Sequence, residues 1–412
     1  MKATANAKVA VESQDASTDG IIRFGTPPLR VFIPLVTPFL YGMERAVIEI
    51  FDSLRPEVEP HFLQSNRIYR RRPPIVDEME RRGFYIEFLP DKTDWQRLAK
   101  PKSFKHLCQM ITASVRSNLA IFKGVRGKDV LYVASISAGS SSLLAAMYCR
   151  LTGRRVIHHF HDLGTNNRLF SLWIPLVTDF VHNTEFGYEE MARNLPSISR
   201  KRNVVLPYIV NLRSEAQEGV ETSSALFGKC NVFFVGQVSR HKGVDLLVRA
   251  FTRIAREHPD LTLHLVGGVN EDFRRELDEL IAGFAHRVRF WGYRKDVPGL
   301  LRSAYLYVQS SPPSRFHDCS PLSVIEAMAV GIPTICFRSG ALPEMVIHEK
   351  TGLVCEESVE SLADAINRLL VDTEFRDACA AAAKQRYEER WCPPRIRESW
   401  LRFLKKRGLP EL

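Results

Sequence analysis

Two clusters in the second half of the chain carry residue types that bind anions and hydroxyl groups. The first is Gly236-Gln237-Val238-Ser239-Arg240-His241-Lys242-Gly243, which leaves a strand-like run at Asn231–Val235. It places Arg240 and Lys242 on a loop at the carboxyl end of a strand, where two cations would neutralise a diphosphate. An ordinary basic surface loop would look the same. The second cluster runs from Ser310 to Pro333. Ser320 reads as a helix N-cap and Pro321 as the first helical residue. The free N–H groups of Leu322 and Ser323 then form an anion site. Gly331 and Pro333 read as the stop signals of that helix. Asp318 stands just before the cap and Glu326 on the second turn. Beside a phosphate site, two carboxylates suit the hydroxyls of a sugar better than the phosphates themselves. A capped helix with two exposed acids would also explain them.

The first half offers less. His159 and His161 alternate with a strand's period and share one face. With Asp162 they could hold a metal, but no further ligand is evident, so no metal is expected. There is no Walker loop, G-x-G-x-x-G, H-E-x-x-H, G-x-S-x-G or D-x-D pattern. ATP hydrolysis, dinucleotide redox chemistry, zinc hydrolysis and metal-bridged sugar-nucleotide chemistry all lose support. The eight cysteines are scattered with no C-x-x-C pair, which fits reduced thiols in a cytosolic protein. No run of 18 uncharged apolar residues exists to span a bilayer. The net charge of +10 falls almost entirely in residues 1–210, most densely at Arg67, Arg70, Arg71, Arg72, Arg81 and Arg82. Such a face suits anionic lipid, phosphorylated acceptors or nucleic acid, or is simply solvated.

The elements that must position these residues alternate between strand-like and helix-like stretches. Runs at 30–35, 61–63, 84–88, 130–133, 155–160 and 203–206 read as strands, with helices at Glu44–Leu54, Phe104–Phe122 and Ser141–Leu151 between them. The pattern breaks over the polar stretch 207–229. It restarts with strands at 231–235, 261–266, 288–290, 306–308 and 334–337, and an amphipathic helix at Val244–His258. Alternation of this kind means parallel sheets with crossover helices. Ligands of such sheets sit beyond the strands' carboxyl ends, which here means the cleft between two domains. The expected organisation is a disordered tail at 1–27, which lacks the apolar core of a secretory signal. A first domain at 28–210, a linker at 211–229, a second domain at 230–392 and a final helix within 393–412 follow.

The second half resembles glycosyltransferase family four. The resemblance rests on V-G-Q-V-S-R-H-K-G-V-D-L-L, on F-W-G-Y-R-K-D-V at 290–297, on S-P-L-S-V-I-E-A-M-A-V-G-I-P, and on S-G-A-L-P-E-M-V with T-G-L-V at 339–354. It is strong over about 230–372. The first half matches more weakly, through Tyr41-Gly42-Met43-Glu44-Arg45 and His159-Phe160-His161-Asp162. The resemblance implies two Rossmann-like domains facing each other across a cleft (the GT-B architecture), with the last helix crossing back onto the first domain. Two residues depart from the family pattern. Asp318 stands where the family has its first Glu, and Gln237 where it usually has Arg after the loop Gly236.

By that resemblance, Lys242 with Arg240 would bind the donor diphosphate and stabilise its departure. Glu326 would hold the ribose, Asp318 the transferred sugar, and Tyr293 the base. Gly42 would let the first loop approach the donor phosphate, and His161 would reach the donor sugar across the cleft. Pro321, Leu322 and Ser323 would present the helix start to the donor. Glu44 is read as favourable charge in a helix's first turn. The implied activity is retaining transfer of a UDP- or GDP-linked sugar to an acceptor hydroxyl, with same-face attack, no assigned general base and no required metal or cofactor. The acceptor would be a saccharide or lipid-linked saccharide in surface polysaccharide or glycolipid synthesis. A cytoplasmic location follows, with peripheral contact at an anionic membrane and no nucleic-acid partner. A nucleotide-sugar epimerase or hydrolase on the same architecture is the rival enzyme. A non-catalytic sugar-nucleotide-binding relative is the rival outside catalysis, supported by Gln237 and Asp318.

Overall fold

The computed structural model describes residues 27–35, 40, 42–65, 70, 72–89, 104–134, 142–161, 163, 170–210, 212 and 230–405, and of these only the backbone at 65, 88, 89, 104–111, 113, 114 and 117. Most of the expected tail and linker, and Tyr41, Arg67, Arg71 and Asp162, lie outside the described residues.

Two parallel sheets make up the molecule. The first has seven strands: β1 (Leu29–Pro34), β2 (Val58–Ser65), β3 (Tyr85–Leu89), β4 (Val130–Val133), β5 (Arg155–His159), β6 (Asp179–His182) and β7 (Arg202–Val205). Their order is β3-β2-β1-β4-β5-β6-β7. The second has six: β8 (Cys230–Val235), β9 (Leu261–Val266), β10 (Val288–Gly292), β11 (Leu306–Gln309), β12 (Thr334–Phe337) and β13 (Gly352–Cys355), in the order β10-β9-β8-β11-β12-β13. Every strand pairing is parallel. Strands covered on both faces read as unbroken apolar runs, as β4 (VLYV, wholly buried) does.

The longer helices are α1 (Gly42–Ser53), α2 (Pro74–Arg81), α3 (Phe104–Val125), α4 (Leu143–Leu151), α5 (Glu185–Asn194), α6 (Val244–Ile254), α7 (Glu271–Leu280), α8 (Leu322–Val330), α9 (Val359–Val371), α10 (Thr373–Arg390) and α11 (Pro393–Leu404). One buried apolar cluster runs through both sheets. It joins Val31, Phe51 and Tyr132 to Phe233, Val324 and Met328, with Trp400 and Phe403 of α11 in the same cluster.

In each sheet the chain reverses winding direction beside the first strand, between β1 and β4 and between β8 and β11. The loops after those strands flank the crevice where doubly wound sheets bind ligands. The loop after β8 holds Gly236–Gly243 and the loop after β11 holds Ser310–Ser320. Lys242 and Asp318, one on each of these loops, therefore meet at the switch point of the second sheet.

The chain end packs on the first domain. In α11, Arg397 Nε donates to Ser53 O (2.6 Å) and Trp400 Nε1 to Pro207 O (3.1 Å). Arg155 Nη1 donates to Phe403 O and Leu404 O at 2.9 and 2.8 Å, closing the helix's carboxyl end with a cation.

Candidate functional site

The loop after β8 ends in a tight turn, Arg240–Lys242, closed by Gly243 at φ 67°. A Cβ on Gly243 would fall 1.9 Å from Ser310 O, so only glycine lets this loop lie against the loop after β11. Ser310 Oγ donates to Lys242 O at 2.9 Å, and Arg315 Nη1 donates to Arg240 O at 3.0 Å. The backbone so fixed aims the Lys242 ammonium at Asp318, with Nζ 2.6 Å from Oδ1 and 4.0 Å from the Phe316 ring centroid.

The other Asp318 oxygen accepts from Gln309 Nε2 at 2.9 Å, and Gln309 Oε1 accepts from the Tyr307 hydroxyl at 2.6 Å. Tyr307 Oη lies 2.7 Å from Ser323 Oγ in the first turn of α8. A continuous polar chain thus joins the cationic loop to the start of that helix. From beneath, Ala341 N donates to Asp318 O (2.8 Å), where a Cβ on Gly340 (φ 54°) would come within 2.3 Å of the same oxygen. Burial raises the Tyr307 phenol far above its ordinary value, so it stays a hydroxyl.

Helix α8 begins one residue later than its sequence reads. Pro321 is the extended residue before the first turn, and the buried Ser320 hydroxyl makes no capping bond. Gly331 closes the helix at φ 84°, with its own N–H on Met328 O and that of Ile332 on Ala327 O. Glu326, on the buried second turn, has Oε1 3.0 Å from Arg45 Nη2 on α1 of the opposite domain. Glu326 is the leading reason that the Arg45 guanidinium binds its proton more tightly than usual, against the opposing effect of burial.

A cavity of about 390 Å³ opens beside this ion pair. Its walls come from α1 and α2 of the first domain and from Tyr293, Lys295, Leu322 and Glu326 of the second. Arg82 is held there by Glu49 (2.6 Å), Asp52 (3.0 Å) and Glu78 (2.5 Å), and Arg81 by Glu78 (2.8 Å). These two arginines, expected within a basic face, are instead largely neutralised by their own surroundings. The wall carries four cations (Arg45, Arg81, Arg82, Lys295) and four carboxylates (Glu49, Asp52, Glu78, Glu326), so it offers many donors and acceptors but little net charge.

His161 lies two residues beyond β5, outside the strand whose period it follows with His159. Its Nδ1 is 2.7 Å from Tyr208 Oη, and burial pushes its pKa well below the ordinary value. His159 is a core residue, bonded to Tyr132 Oη and, at 2.8 Å, to Asn183 Oδ1. Among the described residues no group of three His, Cys, Asp or Glu side chains could hold a metal ion. The two domains also touch near this point. Thr184 Oγ1 donates to Cys319 O at 2.9 Å, and the N–H of Phe186 donates to Glu344 Oε2 at 3.1 Å.

The structure brings Lys242, Asp318, Ser323 and the start of α8 together, and sets Glu326, Leu322 and Tyr293 around the cavity. It does not bring Arg240 to them. That guanidinium pairs with Glu276 on α7 and lies 3.7 Å from Asp245. Gln237 is exposed on the same loop, after Gly236. Gly42 is the first residue of α1, and a Cβ there would meet nothing within 4 Å. Sequence reasoning gave no site role to Arg45, Gln309, Tyr307, Arg315 or Tyr208. Gln309 carried a usable signal: a polar residue ending a buried strand must find partners.

Residues 226–386 match the family model described as glycosyl transferases group 1. The chain is 30% identical to spore coat protein SA of Bacillus subtilis over 256 residues, 57% of this chain and 66% of that one. It is 34% identical over 161 residues to the GDP-mannose-dependent alpha-(1-6)-phosphatidylinositol monomannoside mannosyltransferase of Mycobacterium tuberculosis, 36% of this chain and 40% of that one. The alignments thus span from two fifths to just under two thirds of these relatives. Among solved structures it resembles Anabaena HepE in complex with UDP and glucose, at TM-score 0.72 and 18% identity, covering 92% of this chain and 100% of the other. The sucrose-phosphate synthase of Thermosynechococcus elongatus follows at TM-score 0.69 and 19% identity, covering 92% and 98%. The fold is therefore GT-B.

Proposed function

We propose that this chain, whose second domain matches the group 1 glycosyl transferases, is a retaining glycosyltransferase that moves a sugar from a nucleoside diphosphate to an acceptor hydroxyl. The observation that carries this reading is the Lys242–Asp318–Gln309–Tyr307–Ser323 chain at the switch point of the second sheet. It sets one cation, one carboxylate and a helix N-terminus around a single spot. Beside it, the charge-balanced cavity suits the uncharged base and ribose, which Tyr293 and Glu326 would contact. The diphosphate belongs at Lys242 and the first N–H groups of α8, where anions are favoured. A UDP- or GDP-linked donor fits this division, and HepE was solved with UDP.

In the reaction, the bond between the anomeric carbon and the diphosphate oxygen breaks as the acceptor oxygen attacks from the same face. The departing phosphate oxygen takes the acceptor's proton. Lys242 and the α8 amides stabilise the charge growing on the diphosphate. Asp318 and neutral His161 hold hydroxyls of the transferred sugar. No metal or other cofactor is assigned.

Thermal shift with UDP, GDP, ADP, dTDP and CMP, without and then with Mg²⁺, tests the donor site. A nucleotide at 100 times its dissociation constant adds about 2.7 kcal/mol. At roughly 2–4 °C per kcal/mol, that raises the melting temperature by several degrees. The expected result is a metal-independent shift with one diphosphate, lost in Glu326→Gln. No shift with any nucleotide would remove the reading.

The proposed acceptor is a saccharide or lipid-linked saccharide of surface polysaccharide or glycolipid synthesis, met at the cytoplasmic face of a membrane. No described helix is long and apolar enough to cross a bilayer. The first domain instead exposes Leu144, Met147 and Leu151 on α4 and Val115 and Leu119 on α3. Lys123, Arg126 and Arg150 lie on or beside those helices. Apolar side chains among cations suit an anionic lipid surface. The protein should sediment with anionic vesicles at low salt, and Leu151→Glu should weaken that. Absence of sedimentation would end the membrane proposal.

A further inference from the structure

The ring of His161 lies against those of His159 (centroids 4.1 Å apart) and Tyr208 (5.6 Å apart, planes within 11°). Asn183 Nδ2 donates to Phe160 O at 2.9 Å, which turns its Oδ1 toward His159. His159 Nε2 therefore carries the proton, and its Nδ1 accepts from the Tyr132 hydroxyl. With both nitrogens used, His159 has nothing left to offer a ligand.

His161 is different. Its Nδ1 lies 2.7 Å from the Tyr208 hydroxyl, while its Nε2 is buried and has no bonding partner among the described residues. A phenol is a stronger acid than a neutral imidazole N–H, which favours Tyr208 as the donor and Nδ1 as the acceptor. The proton of His161 is then on Nε2, leaving a buried N–H donor to be met by a ligand oxygen.

Tyr208 is itself firmly held. It is buried on the segment that follows β7, where the N–H of Leu206 donates to His182 O at 2.8 Å. Its neighbour Pro207 accepts from Trp400 Nε1 at 3.1 Å, and Val210 O accepts from the Tyr387 hydroxyl at 3.4 Å. Helices α10 and α11 thus fix the backbone on either side of it.

We propose that Tyr208 is a positioning residue. It holds His161 as the Nε2–H tautomer, in one orientation, so that Nε2 donates to an oxygen of the transferred sugar. This rests on the donor-sugar role proposed for His161. Partners that fix the tautomer and tilt of a metal-ligating imidazole matter about 10–100-fold without touching the substrate, and the orienting task is the same here without a metal.

The experiment is a double-mutant cycle with an independent spectroscopic arm. Tyr208→Phe should lower kcat about 10–100-fold and leave the nucleotide dissociation constant within about twofold. In a His161→Ala background the same substitution should cost nothing further. Nitrogen-15 NMR of the imidazoles should show His161 as the Nε2–H tautomer in the wild type and a tautomer mixture in Tyr208→Phe. An equal loss in both backgrounds, or an Nδ1–H tautomer in the wild type, overturns the proposal. If the wild type transfers no sugar, the proposed activity has failed, and the spectrum still decides the tautomer.

Discussion

Lys242→Ala should lower the transfer rate by about 10²–10³-fold, the cost of removing one preorganised group from a developing oxyanion. The physical setting supports an effect of this size. The Lys242 side chain is 17% exposed, so the ammonium acts where water screens it weakly. Its backbone is fixed by Ser310, Arg315 and the close approach at Gly243, so little reorganisation precedes the reaction. The substitution has a second consequence. Asp318, only 7% exposed, loses its cation and keeps Gln309 Nε2 as a donor. A buried charge left this way is destabilising, so the melting temperature falls as well.

The two effects separate with a second change. Asp318→Asn added to Lys242→Ala removes the stranded charge and recovers melting temperature, but not the rate. Lys242→Arg keeps the charge but spreads it over a planar fork too large for a single oxygen, and recovers the rate in part. Steady-state kinetics with sugar donors carrying the nucleotide found in the binding panel, read beside the melting curves, check all three variants. A fall of less than about tenfold for Lys242→Ala would show that the helix amides alone carry the leaving group.

The parts of this molecule legible in its sequence are those in which local chemistry and tertiary demand agree. The β8 run is apolar because it is covered on both faces, and Gly243 is required by a backbone contact. Strand β6 was not legible. Asp-Phe-Val-His breaks the apolar pattern because Asp179 pairs with Arg155 and His182 bonds Asn203 Oδ1 at 3.0 Å, partners found only in the fold. Strand β13 was hidden by its brevity and its opening glycine. In the site, spacing alone placed Asp318 and Glu326 near one helix start. It could not show that each is already matched to a cation, one on the neighbouring loop and one on the opposite domain. Arg240 shows the converse. Two basic residues two positions apart look like a pair, yet the tight turn sends one guanidinium to α7 and the ammonium to Asp318.

The largest expected loss of stability lies far from the cleft, at Arg155. This residue is 5% exposed and Asp179 is 3% exposed. Its Nε donates to Asp179 Oδ2 at 3.0 Å, its Nη2 lies 3.0 Å from Oδ1, and its Nη1 closes α11 at Phe403 O and Leu404 O. The guanidinium also stacks 4.7 Å from the Phe403 ring centroid. One side chain therefore neutralises a buried carboxylate, caps the last helix and packs on its final aromatic. Arg155→Met keeps the length and apolar stem but strands Asp179 with Arg202 (3.2 Å) and Thr178 (2.5 Å). Breaking a buried pair from one side costs about 3–5 kcal/mol. The melting temperature of the first domain should drop by roughly 6–20 °C at 2–4 °C per kcal/mol. Adding Asp179→Asn should recover part of the loss, since Arg202 is exposed enough to reach water. Limited proteolysis should cut within α11 sooner in Arg155→Met than in the wild type. A drop below about 2 °C would mean that Trp400 and Phe403 hold the helix by packing alone. Because α11 also fixes Pro207, next to Tyr208, a helix released at Arg155 loosens His161 too. The same variant should lose transfer activity at temperatures where the rest of the chain is still folded.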